Sequence, residues 1–312
     1  MKLRNVALLS GMGFLAWQYQ HYRQDKQSAI QRLRAGSQVV TLPSGIMEYV
    51  IEGQGKPMLC IHGGGGGYEQ GLLAGRIFNT SSNFQLIAPS RAGARQTPLT
   101  TGLSIAEQAT AYCQLLDYLE IDKTIVVGLS AGGLSSLQFA LDYPERCEAL
   151  VLLSAVSPIV AQMHVPKALL TLLDMFMASD YLIWLIQKAA TGFIYRSQGS
   201  NMDDFGEENP MHDLVRDIFP SSDWRENVSN DLQQVYAMKD FPFENVIVPT
   251  LLLHGDADPV SPIHVAQHTA EHIPDAKLVT IVNGSHLMMG TDTTRLHEEF
   301  HRFLDEHNIT NK

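Results

Sequence analysis

Cysteine is scarce in this chain: three residues in 312, at Cys60, Cys113 and Cys147. They lie in apolar settings, in odd number and without Cys-x-x-Cys spacing. That argues against a disulfide framework and predicts buried thiols. Positive charge is scarce as well. Twenty-two Lys and Arg face 33 Asp and Glu, a net charge of −11, so the chain lacks the basic surface that binding to nucleic acid requires. No apolar run reaches the roughly 20 residues of a membrane-spanning helix. Nucleotide signatures are missing too. The glycine run at 63–67 has neither G-x-G-x-x-G spacing with a distal acid nor a following Lys-Ser or Lys-Thr, so no nucleotide cofactor is expected. What remains, 45% hydrophobic and 18% charged residues, describes an ordered globular protein.

The first 36 residues form a leader distinct from the rest. Lys2 and Arg4 precede an apolar stretch from Val6 to Trp17, with Tyr19 and Tyr22 beyond. The stretch is short for a span, and bulky Trp17, Gln18 and Tyr19 stand where a signal peptide would carry small residues. The leading expectation is a membrane anchor. A cleaved signal and an amphipathic leader lying on the folded domain are the alternatives. Basic residues on the far flank (Arg23, Lys26, Arg32 and Arg34) leave its orientation open.

Beyond the leader, strands and helices alternate. Val39–Leu42 and Met47–Ile51, joined across Pro43-Ser44-Gly45, predict an antiparallel hairpin. Six short β-branched runs follow: 58–61, 85–88, 124–127, 149–153, 250–253 and 278–282. Continuous apolar runs of this kind suit a parallel sheet covered on both faces. Ser104 and Glu107 predict a capping box, and Ser261-Pro262 an N-cap with a first-turn proline. The expected fold class is α/β: a doubly wound, mostly parallel sheet whose ligands bind at the carboxyl ends of the strands.

Between about residues 158 and 249 the rhythm breaks. No strand candidate appears, whereas helical patterns do, at 167–177 and 181–190. Met163, Met175, Met177, Met202 and Met211 concentrate there with Phe176, Trp184 and Phe193. This predicts a helical cap, inserted after the sixth core strand into a core of residues 37–157 and 250–312. Its methionines either line an adaptable apolar pocket or fill the cap's own small core. The acidic stretch from Gln198 to Pro210, with Glu207 and Glu208, reads as a solvated loop.

The chemistry concentrates at strand ends. Gly128-Leu129-Ser130-Ala131-Gly132 follows a buried run and precedes a helix, the setting in which G-x-S-x-G holds a serine in a tight, strained turn. A serine hydroxyl needs a base, and His286, in the turn after the last strand run, supplies one. Its orienting acid is expected from His254-Gly255-Asp256-Ala257-Asp258, with Asp258 favoured and Asp256 the competitor. His62 through Gly67 follows another buried run, and side-chain-free backbone there can aim amides at a developing oxyanion. The expected donors are the amides of Ala131 and Gly64, with Gly63 the neighbour that would displace the latter. His62 is expected to support the loop.

Together the His-Gly-Gly loop, Gly-Leu-Ser-Ala-Gly, His-Gly-Asp-Ala-Asp-Pro-Val and Gly-Ser-His resemble the α/β-hydrolase fold family, from about Ser37 to the C-terminus. The resemblance implies a helical cap and a Ser130–His286–Asp258 triad performing two-step acyl transfer. One departure stands out. Ala88-Pro89-Ser90-Arg91-Ala92-Gly93 lies where many relatives carry Pro-Asp-x-Arg-Gly, so any inherited role for that loop is in question. Arg91 and Arg95 read as donors to nearby carbonyls, with a substrate carboxylate as the alternative partner.

Histidines at four-residue spacing (264, 268, 272; 297, 301) suit a solvated helix face better than a metal site, since neither carboxylate nor cysteine partners follow the spacing. The expected partner is a small molecule with a carbonyl group, and the expected activity is hydrolysis of a carboxylic ester or lactone. A carbon–carbon bond hydrolase, iminopeptidase or acyltransferase of the same fold is the alternative, and a non-catalytic ligand-binding protein the third reading. A serine in the nucleophile turn disfavours epoxide or haloalkane chemistry, which needs a carboxylate there. Composition and spacing leave the oligomeric state open.

Overall fold

In the computed structural model the described residues are 2–79, 83–159, 167–201, 203, 209, 211–238 and 240–309. Eight strands form one sheet: β1 (Gln38–Leu42), β2 (Gly45–Gly53), β3 (Lys56–Ile61), β4 (Phe84–Pro89), β5 (Thr124–Leu129), β6 (Cys147–Leu153), β7 (Thr250–Gly255) and β8 (Ala276–Ile281). Their order is β1-β2-β4-β3-β5-β6-β7-β8. β2 runs antiparallel to β1 and β4, and every other pairing is parallel. The chain winds outward from β3 to β4, then returns to the other side of β3 with β5. A crevice therefore opens between the carboxyl ends of β3 and β5.

The β-branched runs are strands because both of their faces are buried. Met58, Cys60, Ile125 and Val127 join one apolar cluster, while Leu59, Ile61 and Val126 join the other. Helices α2 (Tyr68–Phe78) and α11 (Thr293–Glu306) cover the first face with Leu72, Phe78, Phe300 and Phe303. Helices α3 (Ile105–Tyr118), α4 (Gly132–Asp142) and α9 (Ile263–His272) cover the second with Leu115, Leu137 and Ala266. The predicted capping box opens α3: the Glu107 amide donates to Ser104 Oγ at 3.1 Å, and the Ser104 amide to Glu107 Oε2 at 2.7 Å. Such a cap stabilises a helix by about 1 kcal/mol. The three cysteines are buried free thiols, and burial raises each thiol's pKa, which makes it a poor nucleophile.

Two expectations need correction. Ser261 does not cap α9. Pro262 occupies that position without a side-chain bond, and the Ser261 hydroxyl donates to the Ala155 carbonyl at 2.9 Å, a partner that only the folded sheet brings near. Nor do His297 and His301 form a solvated face. Both are partly buried, and their rings meet the Ile77 and Phe78 carbonyls at 3.2 and 3.1 Å, satisfying acceptors left open at the end of α2.

Between β6 and β7 the described elements are helical: α5 (Lys167–Met177), α6 (Asp180–Ser197), α7 (Met211–Asp217) and α8 (Arg225–Ala237), with short 3-10 turns. Met177 packs with Trp224 and Ala94, whereas Met175 is exposed. Met163, Met202, Glu207 and Glu208 lie outside the described residues. The leader is one helix, α1 (Lys2–Arg34). Its second half docks on these helices. Tyr22 meets Tyr181, Trp184 and Phe219, Lys26 pairs with Asp180, and Arg32 pairs with Asp217 at 2.8 Å. Phe14, Leu15, Trp17 and Tyr19, nearer its start, are exposed. Among the described residues no single helix is long and apolar enough to cross a membrane.

Candidate active site

Four loops meet at the carboxyl edge of the sheet. Ser130 follows β5 with φ of 49°, a left-handed conformation that is costly for a residue bearing a Cβ. The turn is fixed by close packing. A Cβ on Gly132 would lie 2.4 Å from the His62 carbonyl oxygen, so glycine there lets the serine turn approach the glycine loop. The Ser130 carbonyl accepts from the Gly133 and Val156 amides at 3.0 and 2.8 Å.

From this turn Ser130 Oγ stands 3.0 Å from His286 Nε2, and His286 Nδ1 stands 2.7 Å from Asp258 Oδ2. The other Asp258 oxygen accepts the Val260 and Ser261 amides at 2.8 and 2.9 Å. Burial opposes ionisation of this carboxyl, but the His286 hydrogen bond and charge and the two amides prevail. Its pKa lies below the usual aspartate value. A carboxylate beside Nδ1 holds the proton there, leaving Nε2 free to accept from the serine. Asp256, the competing acid, accepts the Asn283 amide at 2.6 Å and thereby shapes the turn leading to His286.

His286 is also held from the segment between β6 and β7. Its amide donates to the Gln198 carbonyl at 3.1 Å, and the hydroxyls of Ser285 and Ser200 lie 2.5 Å apart. His254, the first residue of the Asp258 motif, is a further site neighbour to which spacing alone assigns no role. Its Nε2 lies 3.6 Å from Asp258 Oδ2 and 2.6 Å from the Ser261 carbonyl, and burial holds its pKa below the usual imidazole value.

Opposite Ser130 runs the glycine loop. The Gly63, Gly64 and Ala131 amides donate to no described residue, and Gly63 and Gly64 line the same cavity as Ser130. His62, fully buried, braces the loop: Nδ1 lies 2.7 Å from the Gly63 carbonyl, and Nε2 accepts the Arg91 amide at 2.8 Å. Burial, then the Arg91 charge, holds its pKa well below the usual value, so the ring is neutral.

Arg91 and Arg95 do not bond mainly to carbonyls, as expected from sequence. Arg91 makes a buried bidentate pair with Asp231 of α8, at 2.8 and 2.5 Å. Arg95 pairs with Glu69 at 2.5 Å and donates to the Asp217 carbonyl at 2.8 Å. Spacing gave no hint of these acids, which lie 140 and 26 positions away. Neither arginine is free for a substrate carboxylate. Ser90, which departs from the family pattern, donates to the buried carboxylate of Glu48 at 2.7 Å and accepts the Tyr68 amide.

The cavity above Ser130 measures about 220 Å³. Besides the glycines, Ser130 and His286, its walls are Gln70, Leu129, Leu287 and Met289 from the core and Ile194, Gln198, Leu214, Val215, Ile218 and Trp224 from the segment between β6 and β7. It is an apolar chamber with few polar groups. Among the described residues no group of three or more His, Cys, Asp or Glu side chains is arranged to hold a metal ion.

Comparison with known proteins agrees with the architecture. The family model of the alpha/beta hydrolase fold matches residues 56–293. A Bacillus subtilis protein named uncharacterized hydrolase YcgS is 29% identical over 266 residues, covering 80% of this chain and 92% of its own. Among solved structures, a bromoperoxidase from Bacillus anthracis superposes with a TM-score of 0.70 at 23% identity, covering 86% of this chain and 99% of its own. An esterase from Exiguobacterium antarcticum gives 0.65 at 18% identity, covering 86% and 98%. With its eight-stranded sheet, its serine turn after β5 and a family match over most of its length, the chain belongs to the alpha/beta hydrolase fold family and is a hydrolase-family enzyme.

Proposed function

We propose that the protein is a serine hydrolase of carboxylic esters or lactones, with Ser130 as nucleophile, His286 as general base and acid, and Asp258 as the orienting carboxylate. The observation that carries this reading is the continuous chain of contacts from Ser130 Oγ through His286 to Asp258, at 3.0 and 2.7 Å. In the first half-reaction His286 takes the Ser130 proton as Oγ attacks the carbonyl carbon. The amides of Gly64 and Ala131 receive the negative charge that develops on the carbonyl oxygen. His286 then protonates the leaving alcohol, and an acyl-enzyme remains. Water enters, gives a proton to His286 and attacks the acyl carbon; as the bond to Ser130 Oγ breaks, His286 returns that proton to Oγ and the acid is released. Asp258 stays charged throughout. The apolar chamber favours an uncharged, largely hydrocarbon substrate, since neither Arg91 nor Arg95 is available to balance a second carboxylate.

Replacing Ser130 by alanine is expected to abolish hydrolysis of p-nitrophenyl acetate and labelling by a fluorophosphonate probe. Labelling of the variant at another serine overturns the assignment. We also propose that the helices between residues 158 and 249 act as the cap over this site, and that the start of α1 rests on a membrane. The support for the second point is the exposed set Phe14, Leu15 and Trp17 within the Val6–Trp17 stretch, with exposed Tyr19 just beyond it.

A further inference from the structure

A second, larger cavity of about 420 Å³ adjoins the chamber above Ser130. Leu73 and Ile77 of α2, Met211 of α7 and Met289 form its apolar walls, and the exposed side chains of Arg76, Thr293 and Thr294 stand at its rim. Among the described residues, Met289 alone lines both spaces. It follows His286 by three positions, opens the short helix α10 (Met288–Thr291) together with Met288, and is nearly fully buried. A methionine thioether has three rotatable bonds and tolerates displacement better than a branched side chain.

The sizes give the division a meaning. The inner chamber, at about 220 Å³, is smaller than the ~300–1,000 Å³ of ordinary small-molecule sites. Among the described residues that line the outer space, no Asp, Glu or Lys offers a charge to a polar ligand. Arg76, the one arginine among the described lining residues, is paired with Glu52 at 2.5 Å. A hydrocarbon chain continuing from an ester held at Ser130 is the occupant that suits these walls.

We propose that the outer cavity extends the substrate site, and that Met289 is the movable partition past which a long saturated alkyl chain of the ester reaches it. The inference rests on Ser130 being the nucleophile, and it names the substrate class: esters with an extended aliphatic arm. That arm belongs either to the acyl group or to the alcohol, and the test separates the two.

The assay uses the full-length chain and two ester series. In one, p-nitrophenyl esters lengthen from acetate to decanoate. In the other, alkyl acetates lengthen on the alcohol side. Each methylene that leaves water for an apolar wall contributes about fourfold in kcat/KM. In one series kcat/KM is expected to keep rising at roughly that rate beyond the length that fills the inner chamber. The readout for variants is the ratio of long-chain to acetate kcat/KM within one preparation, which cancels differences in active fraction. Thr294→Trp, a change at an exposed rim position, is expected to lower that ratio at least about tenfold in that series by filling the outer cavity. Met289→Ala, which removes the partition, is expected to raise it several-fold. Falling kcat/KM with length in both series overturns the proposal, as does a ratio unmoved by either variant. These outcomes differ from failure of the catalytic reading, in which Ser130→Ala hydrolyses short and long esters as fast as the wild type.

Discussion

Replacing Asp258 by asparagine separates the orienting role of this carboxylate from a structural one. In the native site one oxygen takes the Val260 and Ser261 amides while the other takes the His286 Nδ1 proton. Asparagine is nearly isosteric. Its single carbonyl oxygen keeps the two amide bonds, because an NH₂ group turned toward them would leave two buried donors unpaired. The NH₂ group then faces His286 Nδ1. That ring nitrogen becomes an acceptor, and the proton moves to Nε2, aimed at Ser130 Oγ, which can no longer hand over its own. The geometry survives with the wrong tautomer. The expected loss in kcat is on the order of 10⁴-fold, or about 5.5 kcal/mol of barrier. Loss of one hydrogen bond to a charged group removes only about 1.5–3 kcal/mol of folding stability. Asp256→Asn provides the contrast. It retains an oxygen for the Asn283 amide and is expected to lower kcat only a few-fold. The assay is p-nitrophenyl acetate hydrolysis, with circular dichroism to confirm that both variants are folded. A folded Asp258→Asn enzyme within tenfold of wild type, or an Asp256→Asn enzyme that is the more impaired, refutes the reasoning.

Three other consequences follow from the geometry. Asp231→Asn leaves the buried Arg91 guanidinium without its counter-charge, and breaking such a pair costs about 3–5 kcal/mol, so thermal unfolding should begin roughly 5–10 °C lower; a shift under 2 °C contradicts the role given to this pair. His62 and His254 are held neutral in the fold, so below the usual imidazole pKa of about 6.5 the unfolded chain binds more protons than the folded one. Their contribution is fully present above that pH and is lost as pH falls toward the lower folded values. The Tm should fall between pH 7.5 and 5.5, and less steeply in His62→Gln; a Tm that rises over this interval excludes the account. Full-length protein should sediment with phospholipid vesicles, and Phe14→Ser/Leu15→Ser/Trp17→Ser should release it; equal recovery of both in the supernatant contradicts membrane contact.

The sheet was legible because its strands are buried on both faces. Val126 and Val127 point to opposite clusters, yet both must be apolar, so the run announces itself without long-range information. The serine turn was legible for a related reason: crowding by the His62 carbonyl leaves only glycine at 132, and that constraint is written locally. Asp258 and His286 could be placed at strand ends, although their contact is a property of the fold. The partners of Arg91 and Arg95 were not legible. A pairing across 140 positions leaves no periodicity, and an arginine looks the same in sequence whether it meets a carbonyl or a carboxylate. The same holds for the chamber walls at Ile194 and Leu214, in helices, and at Ile218 and Trp224, in the turns between α7 and α8, which are ordinary apolar positions until the fold sets them over Ser130. Ser261 was misread for a simple reason. A serine before a proline and a helix resembles a cap, and only the folded structure brings the Ala155 carbonyl to its hydroxyl.

The most direct measurement is the mass of the protein caught during turnover. Wild-type enzyme mixed with excess p-nitrophenyl acetate and quenched in acid within the first turnovers should carry one acetyl group. Peptide mapping should place it on Ser130, and His286→Ala should abolish the adduct. An acetyl group on any other residue, or steady hydrolysis with no dependence on Ser130, contradicts the account.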